Sequence, residues 1–110
     1  MSENAALPAP VDAFVEAVNR HDEEAFLDFF PTDGFVDDWG RVFTGRKAIK
    51  SWSDKEFIGA RGVMTVQNVT QDAGSVTVVA DWRSEYANGL SSFTFAVSGG
   101  KLASMTIREG

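Results

Sequence analysis

The sequence predicts an α+β domain in which helices cover one face of an antiparallel sheet, and three observations carry that reading. Apolar residues recur at helical spacing up to Phe57. From Val63 to Arg108 they alternate with polar ones in segments rich in β-branched side chains. Tight-turn pairs, Ala73-Gly74, Asn88-Gly89 and Gly99-Gly100, separate those alternating segments. Helices gathered in the first half and strands in the second are the pattern of segregated layers rather than of alternating βαβ units.

The elements follow in order. Val11, Phe14, Val15 and Val18 make one helical stripe, with Pro10 at the start and Arg20 at the end. Asp22 is placed to cap a second, short helix whose inner face is Ala25, Phe26, Phe29 and Phe30, and Pro31 stops it. Strands are expected at Phe35 to Trp39 and Arg41 to Thr44. A third helix is expected from about Arg46 to Phe57, presenting Ile49, Trp52, Ser53 and Phe57, with Gly59 closing it. Four strands then form a meander: Val63 to Val69, Ser75 to Glu85, Leu90 to Val97 and Lys101 to Arg108. Residues 1–9 are expected to form a flexible N-terminal arm, and residues 10–110 a single domain, since 110 residues suffice for one core.

Composition excludes several functions. The formal net charge is −6 and there is no run of Lys or Arg, so no phosphate-neutralising stripe exists and nucleic acid is not an expected partner. Cysteine is absent and His21 is the one histidine, which removes thiol chemistry and the preferred ligands of a transition-metal site; neither metal nor cofactor is expected. His21 is read as structural or exposed. No apolar run is long enough to cross a bilayer, so no membrane partner is expected. Met1 to Pro10 lacks the basic and apolar regions of a signal peptide, which leaves the cytoplasm as the expected location. Nine Phe and three Trp against a single Tyr need a core or a cavity to face.

The segments Val11-Asp-Ala-Phe-Val-Glu-Ala-Val-Asn-Arg-His-Asp22, Phe35-Val-Asp-Asp-Trp-Gly40, Gly45-Arg-Lys-Ala-Ile49 and Gly100-Lys-Leu-Ala-Ser-Met105 together resemble the NTF2-like superfamily, in particular its SnoaL-like polyketide cyclase and ketosteroid isomerase branch. The resemblance implies a cone: a strongly curved sheet with three helices on its concave face, enclosing an apolar pocket. It implies an acid–base carboxylate at Asp38, and a homodimer formed through the convex face, where Val79, Ser91 or Thr94, and Ala103 or Ser104 would meet a second copy. The isomerase's two oxyanion donors would fall on Phe14 and Phe93, and a phenyl ring cannot hold an oxyanion. The cyclase's acidic group would fall in the Ser104–Thr106–Arg108 stretch, which carries no carboxylate. Limonene epoxide hydrolase, a further relative, uses an Asp-Arg-Asp cluster; Asp81 and Arg83 share a strand face here, without a matching third acid.

Alternation in the first strand sets Val36 and Asp38 on one face and Phe35, Asp37 and Trp39 on the other. Hydrophobicity alone sends the Phe/Trp face inward and leaves Asp38 outside, whereas the resemblance sends Asp38 inward; Asp37 is the alternative acid. Asp81 and Arg83 lie opposite the apolar face of Val76, Val78, Ala80 and Trp82, and are read as a surface ion pair or a dimer contact. Phe14, Trp39, Trp52, Phe57, Trp82 and Phe93 are the candidate walls of a pocket for an apolar small molecule. Two functions are left: an isomerase- or cyclase-type acid–base enzyme working through Asp38, or a non-catalytic module for ligand binding or dimerisation.

Overall fold

The computed structural model describes residues 7–110. Three helices, α1 (Val11–Asn19), α2 (Glu23–Asp28) and α3 (Arg46–Glu56), pack on a six-stranded sheet. The strands are β1 (Phe35–Asp38), β2 (Arg41–Thr44), β3 (Val63–Asp72), β4 (Ser75–Arg83), β5 (Gly89–Ser98) and β6 (Lys101–Glu109), in the spatial order β2-β1-β6-β5-β4-β3. The sheet is curved and unclosed. Unpaired residues break the ladder between Val66 and Asn68 on β3, and between Ala96–Val97 and Leu102–Ser104 at the β5–β6 pairing. Such bulges bend a sheet and increase its twist.

The expected antiparallel sheet needs one correction. β1 runs parallel to β6, with Val36 opposite Met105 and Asp38 opposite Ile107, while every other pair is antiparallel. The cause is topological. The meander ends on a strand that returns beside β1 in the same direction, so the first strand and the last share one ladder. The arm expected over residues 1–9 falls mostly outside the described residues. Leu7 is within them and packs against the core, and Pro8 accepts a hydrogen bond from the Asp12 amide, 3.1 Å.

Capping and periodicity explain the helices. Asp22 accepts from the Ala25 amide at 3.1 Å, and that bond, with Arg20 beside it, holds the Asp22 carboxyl below the usual carboxylate range. α1 buries Val11, Phe14, Val15, Ala17 and Val18. Its last residue, Asn19, bonds Met64 twice, donating to the carbonyl at 3.0 Å and accepting from the amide at 2.7 Å. His21 sits in the left-handed region (φ 60°) between α1 and α2, and its Nε2 donates to the Gly62 carbonyl at 3.0 Å. The lone histidine therefore fastens the helix bend to the entry of β3.

Phe14 lies at the centre of the core, in contact with Phe26, Phe29, Phe30 and Phe95 at ring-centroid distances of 5.5, 5.6, 6.0 and 5.2 Å. On the outer sheet face, Thr77 and Thr94 pair through their hydroxyls at 3.2 Å, and Arg83 pairs with Asp81 at 2.9 Å, as a surface ion pair should. Of the alternatives for that face, Thr94 and Ser104 point outward. Ser91 lies beside the inner-face residue Ala80, and Ala103 is the bulge residue.

Arg108 on β6 reaches across to Asp37 on β1, 3.0 Å, and with the Gly40 amide it holds the Asp37 carboxyl below the usual range. A carboxyl depressed by folding contributes stability above its unfolded pKa and loses it as pH falls through the folded value. Arg108→Ala should therefore lower the denaturation midpoint at neutral pH. Between about pH 7 and about pH 3 its stability should change less than the parent's. Urea unfolding across that range measures both, and parallel curves for the two proteins would remove Asp37 from the acid response.

Candidate functional site

β1 decides the site. Val36 is fully buried while Phe35 and Trp39 are exposed, so the strand turns its Val36–Asp38 face inward. Val36 sits beside the buried Met105 across the parallel ladder, and a period of two then brings Asp38 to the same side. Asp37 consequently faces outward, tied to Arg108. The two residues after Asp38, Trp39 (φ 55°) and Gly40 (φ 91°), form a two-residue hairpin with both central residues in the left-handed region, the turn type that matches strand twist. Glycine suits that backbone; tryptophan at such a position carries strain, which is found where a side chain has to be presented in a particular place.

Beyond Asp38 lies a cavity of about 310 Å3, walled by Phe57, Trp82, Phe93 and Ile107 and entered past Trp39, Tyr86 and Leu90. The sequence candidates Trp39, Asp38, Phe57, Trp82 and Phe93 thus meet in one place. Two candidates do not line it. Phe14 is fully buried and enclosed by other phenylalanines of the core, Phe26, Phe29, Phe30 and Phe95. Trp52 stands behind the wall, stacked on Phe57 at 4.8 Å and on Phe43 at 5.9 Å, and lines a separate shallow groove beside Phe43 and Lys55. Its contribution is polar as well: Nε1 donates to Asp38 Oδ2 at 3.0 Å.

Asp38 belongs to a carboxylate–guanidinium–carboxylate cluster at the cavity edge. Arg41 Nη2 donates to Asp38 Oδ2 and to Glu56 Oε1, each at 2.5 Å, and Nη1 donates to Glu56 Oε2 at 3.1 Å. Glu56 first and Asp38 second hold the guanidinium protonated, with its pKa above the usual arginine range. Both donors to Asp38 use Oδ2; Oδ1 accepts no hydrogen bond among the described residues. No group of three or more His, Cys, Asp or Glu side chains suited to a metal exists among the described residues. Nor is any helix there long and apolar enough to cross a membrane.

Arg41, Glu56, Tyr86, Leu90 and Ile107 are site residues that the sequence reading passed over. Arg41 had a signal. It stands opposite Asp38 across a two-residue turn, where opposite charges pair. Glu56 ends α3 next to Phe57, and nothing local in the sequence aims it at β2.

No protein-family model and no curated protein matches the sequence, whereas solved structures match over nearly the whole chain. One, a candidate polyketide cyclase from Sinorhizobium meliloti, superimposes with a TM-score of 0.84 at 23% identity over 97% of this chain and 100% of that one. A Mycobacterium tuberculosis protein, solved with estradiol-17β-hemisuccinate, gives 0.81 at 17% identity over 91% and 90%. A Catenulispora acidiphila protein with a ketosteroid isomerase-like fold, solved with trimethylamine, gives 0.79 at 19% over 96% and 88%. The fold is NTF2-like. At these identities the likeness fixes the NTF2-like architecture and leaves chemistry to the site itself.

One close approach shapes the wall. A Cβ on Gly62 would lie 1.9 Å from Trp82 Cη2, and Phe57 already stacks on Trp82 at 4.5 Å with the rings 11° from parallel. Gly62→Ala should therefore displace the indole, cost about 1–3 kcal/mol of stability through overpacking, and deform the cavity. Denaturant unfolding and near-ultraviolet circular dichroism measure this. An unchanged aromatic signal would mean that the β3 entry moves instead of the ring.

Proposed function

We propose that the protein binds a small apolar molecule in the Phe57–Trp82–Phe93 cavity, with Asp38 orienting it, as a module of the SnoaL-like and ketosteroid isomerase-like kind. The observation that carries this is a carboxylate with one uncommitted oxygen at the edge of an otherwise aromatic and aliphatic chamber. Pockets of this design, apolar walls with a few placed polar groups, are the usual form of small-molecule sites. A volume of about 310 Å3 is at the low end of their range of about 300–1,000 Å3 and suits a molecule of few rings. The steroid-derived ligand of the Mycobacterium tuberculosis neighbour supports the apolar class.

A second reading, acid–base catalysis of isomerase or cyclase type, draws on the same free Oδ1, which could take a proton from a bound substrate. The ketosteroid version of that reaction is not proposed, because Phe14 is buried in the core and Phe93 offers no donor to an enolate oxygen. We also infer a homodimer through the outer sheet face, whose Thr77, Val79, Thr94, Ala96, Ser104 and Thr106 form a broad neutral surface of small side chains.

A neutral naphthalene-type fluorophore should bind saturably. Ser91→Phe, which projects a ring into the cavity, should weaken that binding by roughly tenfold or more. Asp38→Asn should leave it intact while abolishing any turnover. Equal binding to the parent and to Ser91→Phe would place the ligand elsewhere. For the dimer, sedimentation at micromolar concentration should give twice the chain mass, and a 12.0 kDa particle would overturn it.

A further inference from the structure

The charges and rings around this cavity select among apolar ligands. Three charged side chains line it, Asp38, Glu56 and Arg41. Two carboxylates against a single guanidinium leave one negative charge in excess. Arg41 is already committed, twice to Glu56 and once to Asp38 Oδ2, so the acceptor available to a newcomer is Asp38 Oδ1. A hydrogen-bond donor satisfies that oxygen, and a cationic donor also neutralises the excess charge; a carbonyl or carboxylate would do neither.

The rim adds an independent observation. Six large apolar residues are exposed among the described residues, and three of them, Trp39, Tyr86 and Leu90, are among those that line this cavity. Trp39 is kept there by a left-handed backbone that tryptophan rarely adopts. Indole and phenol faces carry the negative end of the ring quadrupole and attract ammonium groups, with indole the stronger. The chain's net charge of −6 would draw a cation towards the protein at a distance.

We propose that the occupant of the cavity is an organic cation, an apolar ring or alkyl skeleton in the Phe57–Trp82–Phe93 chamber whose ammonium group lies between Asp38 Oδ1 and the Trp39 and Tyr86 rings. This rests on the pocket assigned above and narrows its ligand to amines.

A matched series tests it: naphthylmethylamine, the corresponding naphthalenemethanol and naphthoate, titrated calorimetrically into the full chain at low and at physiological salt. The amine should bind roughly tenfold or more tightly than the alcohol, the acid most weakly, and the gap should narrow with salt. Asp38→Asn should bring the amine down to the alcohol's affinity. The alcohol's own unchanged affinity reports that this variant is folded. Glu56→Gln, which removes the second carboxylate without touching Oδ1, should reduce the preference in part and gives a second route should Asp38→Asn not fold. Equal binding of amine and alcohol by the parent protein overturns the cation proposal and leaves the apolar pocket standing. So does a preference that survives both substitutions. Failure of all three compounds to bind would overturn the pocket itself, and this proposal with it.

Discussion

Four rings, Phe43, Trp52, Phe57 and Trp82, stack in a row with successive centroid distances of 5.9, 4.8 and 4.5 Å and interplanar angles of 26°, 24° and 11°. They come from β2, α3, the loop after α3 and β4, so the row ties one edge of the sheet to its far half through the helix between them. Stacked aromatic pairs contribute on the order of 0.5–1.5 kcal/mol each beyond the area they bury. Geometry matters more than that sum. Because Trp52 is fixed between Phe43 and Phe57, its indole N–H has one direction to point, and Asp38 Oδ2 lies in it. Because Trp82 is fixed against Phe57, the chamber has a flat wall. The polar cluster and the apolar cavity are two consequences of one stack.

Local signals explain why much of the architecture was legible in advance. Asp22 caps α2 through the bond its side chain was expected to make, and β4 alternates buried and half-buried residues from Val76 to Trp82 without a break. These features depend on near neighbours in sequence. What was not legible depends on distant ones. The inward turn of Asp38 follows from the burial of Val36 against Met105, sixty-odd residues away on a parallel strand that periodicity cannot orient. Counting aromatic side chains on β1 pointed the other way, because Trp39 belongs to the turn and not to either strand face. Phe14 looked like a pocket wall because a stripe of large residues on α1 says that a face is buried, and not whether rings or empty space lie opposite. Glu56 joined the site only because α3 delivers its last turn to β2.

The site differs in sign from the chemistry that the sequence resemblance implies. An isomerase pocket of this resemblance would present donors to a developing oxyanion, and the positions that would carry them here, Phe14 and Phe93, are hydrocarbon. The polar group that is left uncommitted is an acceptor. One scaffold can thus host opposite preferences by exchanging a few inward side chains while the cone around them stays the same. The Asp38–Arg41–Glu56 cluster also shows how a half-exposed guanidinium can bridge two carboxylates, fixing one oxygen of Asp38 and leaving the other without a hydrogen-bond partner among the described residues.

The sheet is open, with β2 and β3 as its two edges. An unpaired strand edge is a template on which another extended chain can grow, and a long flat one invites fibrous association. The two edges blunt that hazard by different means. β2 is four residues long and begins with Arg41, too short and too charged at its head to nucleate a ladder. β3 is ten residues long, but its exposed positions include Thr65, Gln67, Asn68, Thr70, Gln71 and Asp72. Asn19 occupies the backbone groups of Met64 that an intruding strand would need, and the kink at Gln67 interrupts the run beyond it. An asparagine at the end of a helix thereby acts as a stopper on a sheet it does not belong to, and its replacement by an aliphatic residue would unseal the longest free edge of the molecule.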